Sequence, residues 1–499
     1  MSPAGVTAEA ASTGIPGLDA ILGGGLTRHR LYLLAGAPGV GKTTLAMQFL
    51  LAGADAGESA LYLAMSETAE EISEMAGSHG WSLAGVDICA LTAGEEILNA
   101  DHQYTVFHPS DVELAETTTR MLAEVERRNP SRVVLDSLSE LRLLSGNPLR
   151  YRRQVLALKQ FFAGRHCTIL VLDDRLSPDP DAQLDSIAHG VFQLDRLDPE
   201  YGADRRRVRV SKFRGRDFRS GYHDYVIRRG GLVVFPRLVA AEGRYAFEQT
   251  PVSSGLPALD RLLGGGLARG TSTLLTGPPG TGKSSLAAQI ACAAAARGCS
   301  ASMFIFDESI RTVMTRAEGL GLGMRRYVDE GRISLFQVAP AELSPGEFTA
   351  IVCERVEREH AQVVVIDSLN GYLTAMPNER YLLIQLQELL AFLGQRGVAT
   401  ILIGVQGGLI GTSMITPGDA SYLADTVVLL RYFEHQGAVR QAISVVKKRD
   451  GAHERTIREF ALDGSGLHVG EPLSAFHGIL TGVPHYVGDN QTLTGRDDE

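Results

Sequence analysis

Five cysteines occur in 499 residues, at Cys89, Cys167, Cys292, Cys299 and Cys353. None forms a CxxC pair and the number is odd, which excludes a disulfide framework or a thiolate zinc site and fits a reducing compartment. The sequence has no run of about 18 uninterrupted apolar residues, so no membrane span is expected. A charged segment followed by an apolar one is missing from MSPAGVTAEAAST, so no signal peptide is expected and the cytoplasm is the expected address. Positive charge is also short: the formal net charge is −10, and the chain has a single Trp and 6% aromatic residues. A protein that coats nucleic acid needs clustered Lys and Arg, with aromatic platforms where it holds single strands. Nucleic acid is therefore not expected as a partner, and the basic stretch Asp204–Arg209 reads as a solvated strand end.

What is present is a duplication. Residues 12–67 run from STGIPGLDAILGGGL through GAPGVGKTTLAMQ to AMSE, and residues 253–308 run from SSGLPALDRLLGGGL through GPPGTGKSSLAAQ to IFDE. Asp19 corresponds to Asp260, Lys42 to Lys283 and Glu67 to Glu308, all offset by 241 positions. A constant offset over so long a stretch indicates a duplicated domain, not a short-period array. The expected division is residues 1–245, 246–480 and a flexible acidic tail at 481–499. In each half short apolar runs (LYLLAG, ALYLAM, RVVLDS, TILVLD; TSTLLTG, SMFIFD, VVVIDS, TILIGV) alternate with helix-length segments. That pattern predicts an α/β fold with a mainly parallel sheet and helices on both faces.

Both halves carry GxxxxGK[ST] between a strand and a helix, the context this phosphate-binding motif requires. The first comprises Gly36, Gly39, Val40, Gly41, Lys42, Thr43 and Thr44; the second Gly277, Gly280, Thr281, Gly282, Lys283, Ser284 and Ser285. The glycines let backbone N–H groups turn inward on phosphate oxygens at a helix N-terminus. The lysines would bridge the β- and γ-phosphates of ATP, while Thr43 and Ser284 would hold Mg2+ together with Asp136 and Asp367, which close the runs VVLD and VVVID. Glu67 in the first half, and Asp307 with Glu308 in the second, are the candidate catalytic carboxylates that take a proton from the attacking hydroxyl. Two late basic pairs, Lys212/Arg214 and Lys447/Arg449, place two cations on one strand face, where they could reach the nucleotide of a neighbouring subunit.

These features resemble the RecA-like ATPases. The GGG lead-in and the segments SKFRGRDFRSGYHDYVI, ITPGDASYLADTVVLLRYFE and VVKKRDGAHERTIREF narrow the resemblance to the KaiC family of circadian-clock ATPases and autokinases, over the chain to about residue 485. The resemblance implies two tandem RecA-like P-loop domains and a homohexameric double ring with ATP at the subunit interfaces. It also implies regulatory protein partners and a second domain that phosphorylates its own hydroxyls. By position Ser421 and Tyr422 match the family's phosphorylated pair and Thr416 the third site; Lys212, Arg214, Lys447 and Arg449 match residues that contact a neighbour's nucleotide. A Tyr at 422 and Pro417-Gly418 depart from the family pattern, as does the C-terminal tail. Two other functions remain open on sequence grounds. One is a RecA-like DNA-dependent ATPase or recombinase; the other is an ATP-stabilised scaffold without kinase activity.

Overall fold

The computed structural model describes residues 10–91, 109–175, 182–198, 201–240, 246–339, 341–374, 381–406, 420–479 and 485–486. The chain divides between Arg237 and Leu238 into two compact units. Among the described residues no helix is long and apolar enough to cross a membrane.

The first unit is built on nine strands: β1 (Leu31–Gly36), β2 (Ala60–Ala64), β3 (Val86–Ala90), β4 (Arg132–Asp136), β5 (Thr168–Asp174), β6 (Gly190–Leu197), β7 (Arg205–Phe213), β8 (Tyr222–Arg228) and β9 (Gly231–Phe235). Their spatial order is β3-β2-β4-β5-β1-β6-β7-β8-β9. Pairing is parallel from β3 to β6 and antiparallel from β6 to β9. Two helices frame the site, α1 (Lys42–Asp55) and α2 (Ala69–His79). The α2 start is fixed by a reciprocal cap between Thr68 and Glu71, which satisfies two orphan N–H groups at once.

The second unit repeats this plan with β10 (Ser272–Gly277), β11 (Ser300–Ile305), β12 (Ile333–Gln337), β13 (Ala361–Asp367), β14 (Ala399–Val405), β15 (Thr426–His435), β16 (Ala438–Lys448), β17 (Arg458–Asp463) and β18 (Gly466–Pro472). Its order, β12-β11-β13-β14-β10-β15-β16-β17-β18, matches strand for strand. The corresponding helices are α3 (Lys283–Ala296) and α4 (Ile310–Gly319). The central strands of both sheets are buried along nearly their whole length. Such strands, covered on both faces, are why the sequence shows unbroken apolar runs and not alternation.

The duplicated lead-in has a structural task. Asp19 accepts hydrogen bonds from Ser12 Oγ, Thr13 N and Thr13 Oγ1, and Asp260 does the same for Ser253 and Ser254. Each Asp clips its lead-in turn onto the short helix that carries it. Within the stretch expected to be a tail, His485–Tyr486 pairs with Phe476–His477 as a short antiparallel ribbon; the rest of 481–499 lies outside the described residues.

Candidate nucleotide sites

Each P-loop lies between the carboxyl end of its strand and the start of a helix, where sequence order reverses across the sheet: β1 is flanked by β5 and β6, β10 by β14 and β15. Open parallel sheets bind ligands at this switch point. Gly41 and Gly282 cap α1 and α3 with φ of 99° and 92°, left-handed values that a side chain resists. A Cβ at Gly277 would lie 2.1 Å from Leu430 O, so the loop can pass this close to the neighbouring strand only as glycine.

In both cradles the lysine curls back over its own loop. Lys42 Nζ donates to Gly36 O (3.0 Å) and Ala37 O (2.9 Å); Lys283 Nζ donates to Gly277 O (2.9 Å) and Pro278 O (2.7 Å). Thr281 Oγ1 braces the second loop on Pro278 O, while Thr44 and Ser285 are buried within the first turn of their helices. Burial pushes the Lys283 ammonium down to about 8. Among the described residues it has no carboxylate within ion-pair distance. A buried cation held only by carbonyls lacks a counter-ion, and a phosphate group would supply it. The second cradle opens on a cavity of about 310 Å³ lined by Lys283, Ser284, Asp307, Glu308, Arg316 and Asp367, among others.

The metal-side pairs also form. Thr43 Oγ1 donates to Asp136 Oδ2 at 3.0 Å, and Ser284 hydrogen-bonds Asp367. Burial raises the Asp136 carboxyl above its usual range and lifts Asp367 to about 6. A buried acid beside a hydroxyl, displaced toward its neutral form, gains most from a divalent cation. These donor sets therefore fit Mg2+ chelated by nucleotide phosphates. The peptide bonds Asp136–Ser137 and Asp367–Ser368 are both cis, a further match between halves.

The candidate catalytic carboxylates reach their sites differently. Glu67 has no hydrogen-bond or ion-pair partner among the described residues; burial, then Asp136, Glu71 and Asp174, raise its pKa. Glu308 is clamped by Arg316 through two hydrogen bonds of 2.6 Å, and Asp307 accepts from Ser368 Oγ.

Three participants were not apparent from the motifs. Tyr62 OH donates to Asp136 Oδ2 at 2.6 Å. Asp174 pairs with Lys42 at 2.6 Å, where the strand register puts Val405 in the second unit. Arg316 lies eight residues beyond Glu308, a position held by Met75 in the first unit.

The basic pairs and the candidate phosphosites come together at the other end of the sheet. Lys212 Nζ donates to Asp185 O and Ser186 O, and Arg214 to Ser186 O. Lys447 Nζ donates to Ser421 O (2.8 Å) and Ala424 O (2.7 Å), and Arg449 to Tyr422 O (3.0 Å). The segment carrying Ser421 and Tyr422 is fastened to the start of β10 by Asp425, which exchanges hydrogen bonds with Ser272. Thr426 pairs with Thr273, whereas the P-loop leaves β10 at Gly277. At about 3.3 Å per residue, these ends lie roughly 15 Å apart. Tyr422 is exposed and Ser421 half-buried; Thr416 lies outside the described residues.

Comparison with known proteins agrees with this geometry. The family profile described as "ATPase: KaiC" matches residues 11–239 and 252–474. The chain is 26% identical to circadian clock protein KaiC3 of Synechocystis sp., with 98% of each chain covered. It is 27% identical to KaiC2 of the same organism, covering 97% of this chain and 83% of that one. It is 26% identical to the circadian clock oscillator protein KaiC of Thermostichus vulcanus, covering 97% and 93%. Two family matches, each spanning one P-loop sheet with its carboxylates, account for most of the sequence: the chain belongs to the KaiC family of ATPases.

Proposed function

We propose that this protein is an ATP-hydrolysing homohexameric double ring in which the second domain is also a serine/threonine autokinase, and that its phosphorylation state signals to regulatory partners in clock-like control in the cytoplasm. Lys42 and Lys283 hold the β- and γ-phosphates of ATP. Thr43 with Asp136, and Ser284 with Asp367, hold Mg2+, which neutralises phosphate charge when bound. Glu67 and Glu308, the latter with Asp307 beside it, accept the proton of the attacking hydroxyl. Ser421 is the leading phosphoacceptor, followed by Tyr422 and Thr416.

One observation supports assembly above the others. Lys447, Arg449, Ser421 and Tyr422 share one end of the second sheet, and Lys212 and Arg214 hold the same place in the first. That end is the opposite one from the unit's own P-loop. A phosphoryl group on ATP held by Lys283 cannot reach Ser421 across about 15 Å of sheet. A copy whose P-loop abuts this end supplies both the donor and the anion that Lys447 and Arg449 would stabilise.

Incubation with Mg·ATP followed by phosphopeptide mass spectrometry tests the kinase half of this reading. Phosphate on Ser421 or its neighbours that vanishes in Lys283→Ala is the expected result. Unmodified Ser421, Tyr422 and Thr416 during continued ATP turnover would leave an ATPase without kinase activity.

A further inference from the structure

The two sites differ at one contact whose chemistry bears on turnover. Glu308 ends the loop after β11, and Arg316 lies two helical turns along α4, which Ser309 caps by accepting from Thr312 N. The spacing brings the guanidinium back over the carboxylate: Nη1 donates to Oε2 and Nη2 to Oε1, both at 2.6 Å. Both side chains are largely screened from solvent, at 29% and 19% exposure. Both line the cavity that contains Lys283, Ser284 and Asp367. A parallel fork of this kind is among the strongest side-chain hydrogen bonds. It occupies one accepting direction on each oxygen and holds the carboxylate against the helix.

The first unit has the same helix, offset and carboxylate but no such cation. Met75 stands where Arg316 stands and packs on the apolar core. Its Glu67 faces Asp136, Glu71 and Asp174, all acidic. Among the described residues, one site thus presents a carboxylate without a hydrogen-bond or ion-pair partner and the other a restrained one.

We propose that Arg316 is a positioning residue that holds Glu308 away from proton acceptance and so slows hydrolysis at the second site. This rests on the reading of Glu308 as the general base given above. In the step concerned, a water oxygen bonds to the terminal phosphorus while the bond to the ADP oxygen breaks. The water's proton passes to the carboxylate and from there to solvent. While both oxygens are forked to Arg316, that proton has a poor acceptor.

The test uses the full-length protein with Glu67→Gln to silence the first site, and measures ATP turnover with saturating Mg·ATP. Adding Arg316→Met, which copies the first unit, should raise kcat at least about threefold. Arg316→Lys, which keeps the charge but loses the fork, should fall between. Adding Glu308→Gln to the Arg316→Met protein should abolish the gain. A kcat that is unchanged or lower in Arg316→Met, or in Arg316→Gln should Met prevent folding, overturns the clamp. Separately, Glu67→Gln/Glu308→Gln turning over as fast as Glu67→Gln alone would remove Glu308 as the base, and with it the reading on which the clamp rests.

Discussion

Replacing Glu58 by Gln should destabilise the first unit by about 2–3 kcal/mol. Arg132 opens β4 at 2% exposure, one of the most deeply buried charges in the chain. Its Nε donates to Glu58 Oε2 at 2.7 Å, and its Nη1 to the carbonyls of Ser12 (2.6 Å) and Phe49 (2.8 Å). Arg28 reaches the same carboxylate at 2.7 Å. Burial of Glu58 works against its ionised form, but the two arginines prevail and hold its carboxyl at about 2, against 4.5 ordinarily. That displacement corresponds to about 3 kcal/mol, trimmed because the Arg28 limb is partly solvated. Seen from Arg132, the same loss leaves a buried guanidinium with two carbonyls and the neutral Gln as partners. Because the folded-state pKa is depressed, the contribution is present in full above about pH 4.5 and is lost as pH falls toward 2. The single Trp, Trp81, packs on the first core and stacks on His79, so its fluorescence during urea unfolding reports this unit alone. Wild type and Glu58→Gln should differ at pH 7, the gap should shrink below about pH 4.5, and they should converge only as pH falls to about 2. A difference under about 0.5 kcal/mol at pH 7, or one that persists on acidification, would refute the reasoning.

Three further outcomes follow from differences between the halves. A Cβ on Gly53 would lie 2.4 Å from Arg132 Cδ, whereas the second unit has Ala294 and Val363 at these positions. Gly53→Ala alone should therefore destabilise by about 1–3 kcal/mol, and Gly53→Ala/Arg132→Val should cost clearly less than the sum of its single changes in the same fluorescence assay. Asp174→Val removes an anion that competes with phosphate for Lys42. With about 0.5–1 kcal/mol for a partly exposed pair, ATP should bind the first site about two- to fivefold tighter in titrations on a Lys283→Ala background; weaker binding would contradict the placement. Tyr62→Phe removes a hydrogen bond from Asp136, and the Mg2+ concentration for half-maximal turnover should change while that of the second site stays fixed.

Much of the nucleotide machinery could be read directly, because the P-loops are local: consecutive residues form each loop, and the strand and helix around them show in the apolar pattern. The Asp19 and Asp260 lead-ins were legible as a repeat, though their task of clipping a turn emerges only from the hydrogen bonds they accept. What stayed hidden depends on register between distant strands. Gly36 pairs with Asp174 where Gly277 pairs with Val405, so only the assembled sheet shows that Lys42 is ion-paired at this register position while an apolar residue takes that place beside Lys283. The offset between halves shrinks from 241 residues at the P-loops to 231 at Asp136 and Asp367, which obscures such equivalences beyond the first crossover. Lys447 and Arg449 were visible as a basic pair. Their hold on the segment carrying Ser421 and Tyr422 reflects the antiparallel pairing of β15 with β16, in which Val427 faces Lys447.

The central claim is that Mg·ATP, held in both cradles, joins copies of this chain into a ring. Native mass measured with and without Mg·ATP, for the wild type and for Lys42→Ala/Lys283→Ala, tests it most directly. The account predicts a nucleotide-dependent hexamer carrying two adenine nucleotides per chain, and smaller species free of nucleotide in the double variant. A wild-type protein that stays monomeric with ATP, or a double variant that still assembles and retains nucleotide, would contradict it.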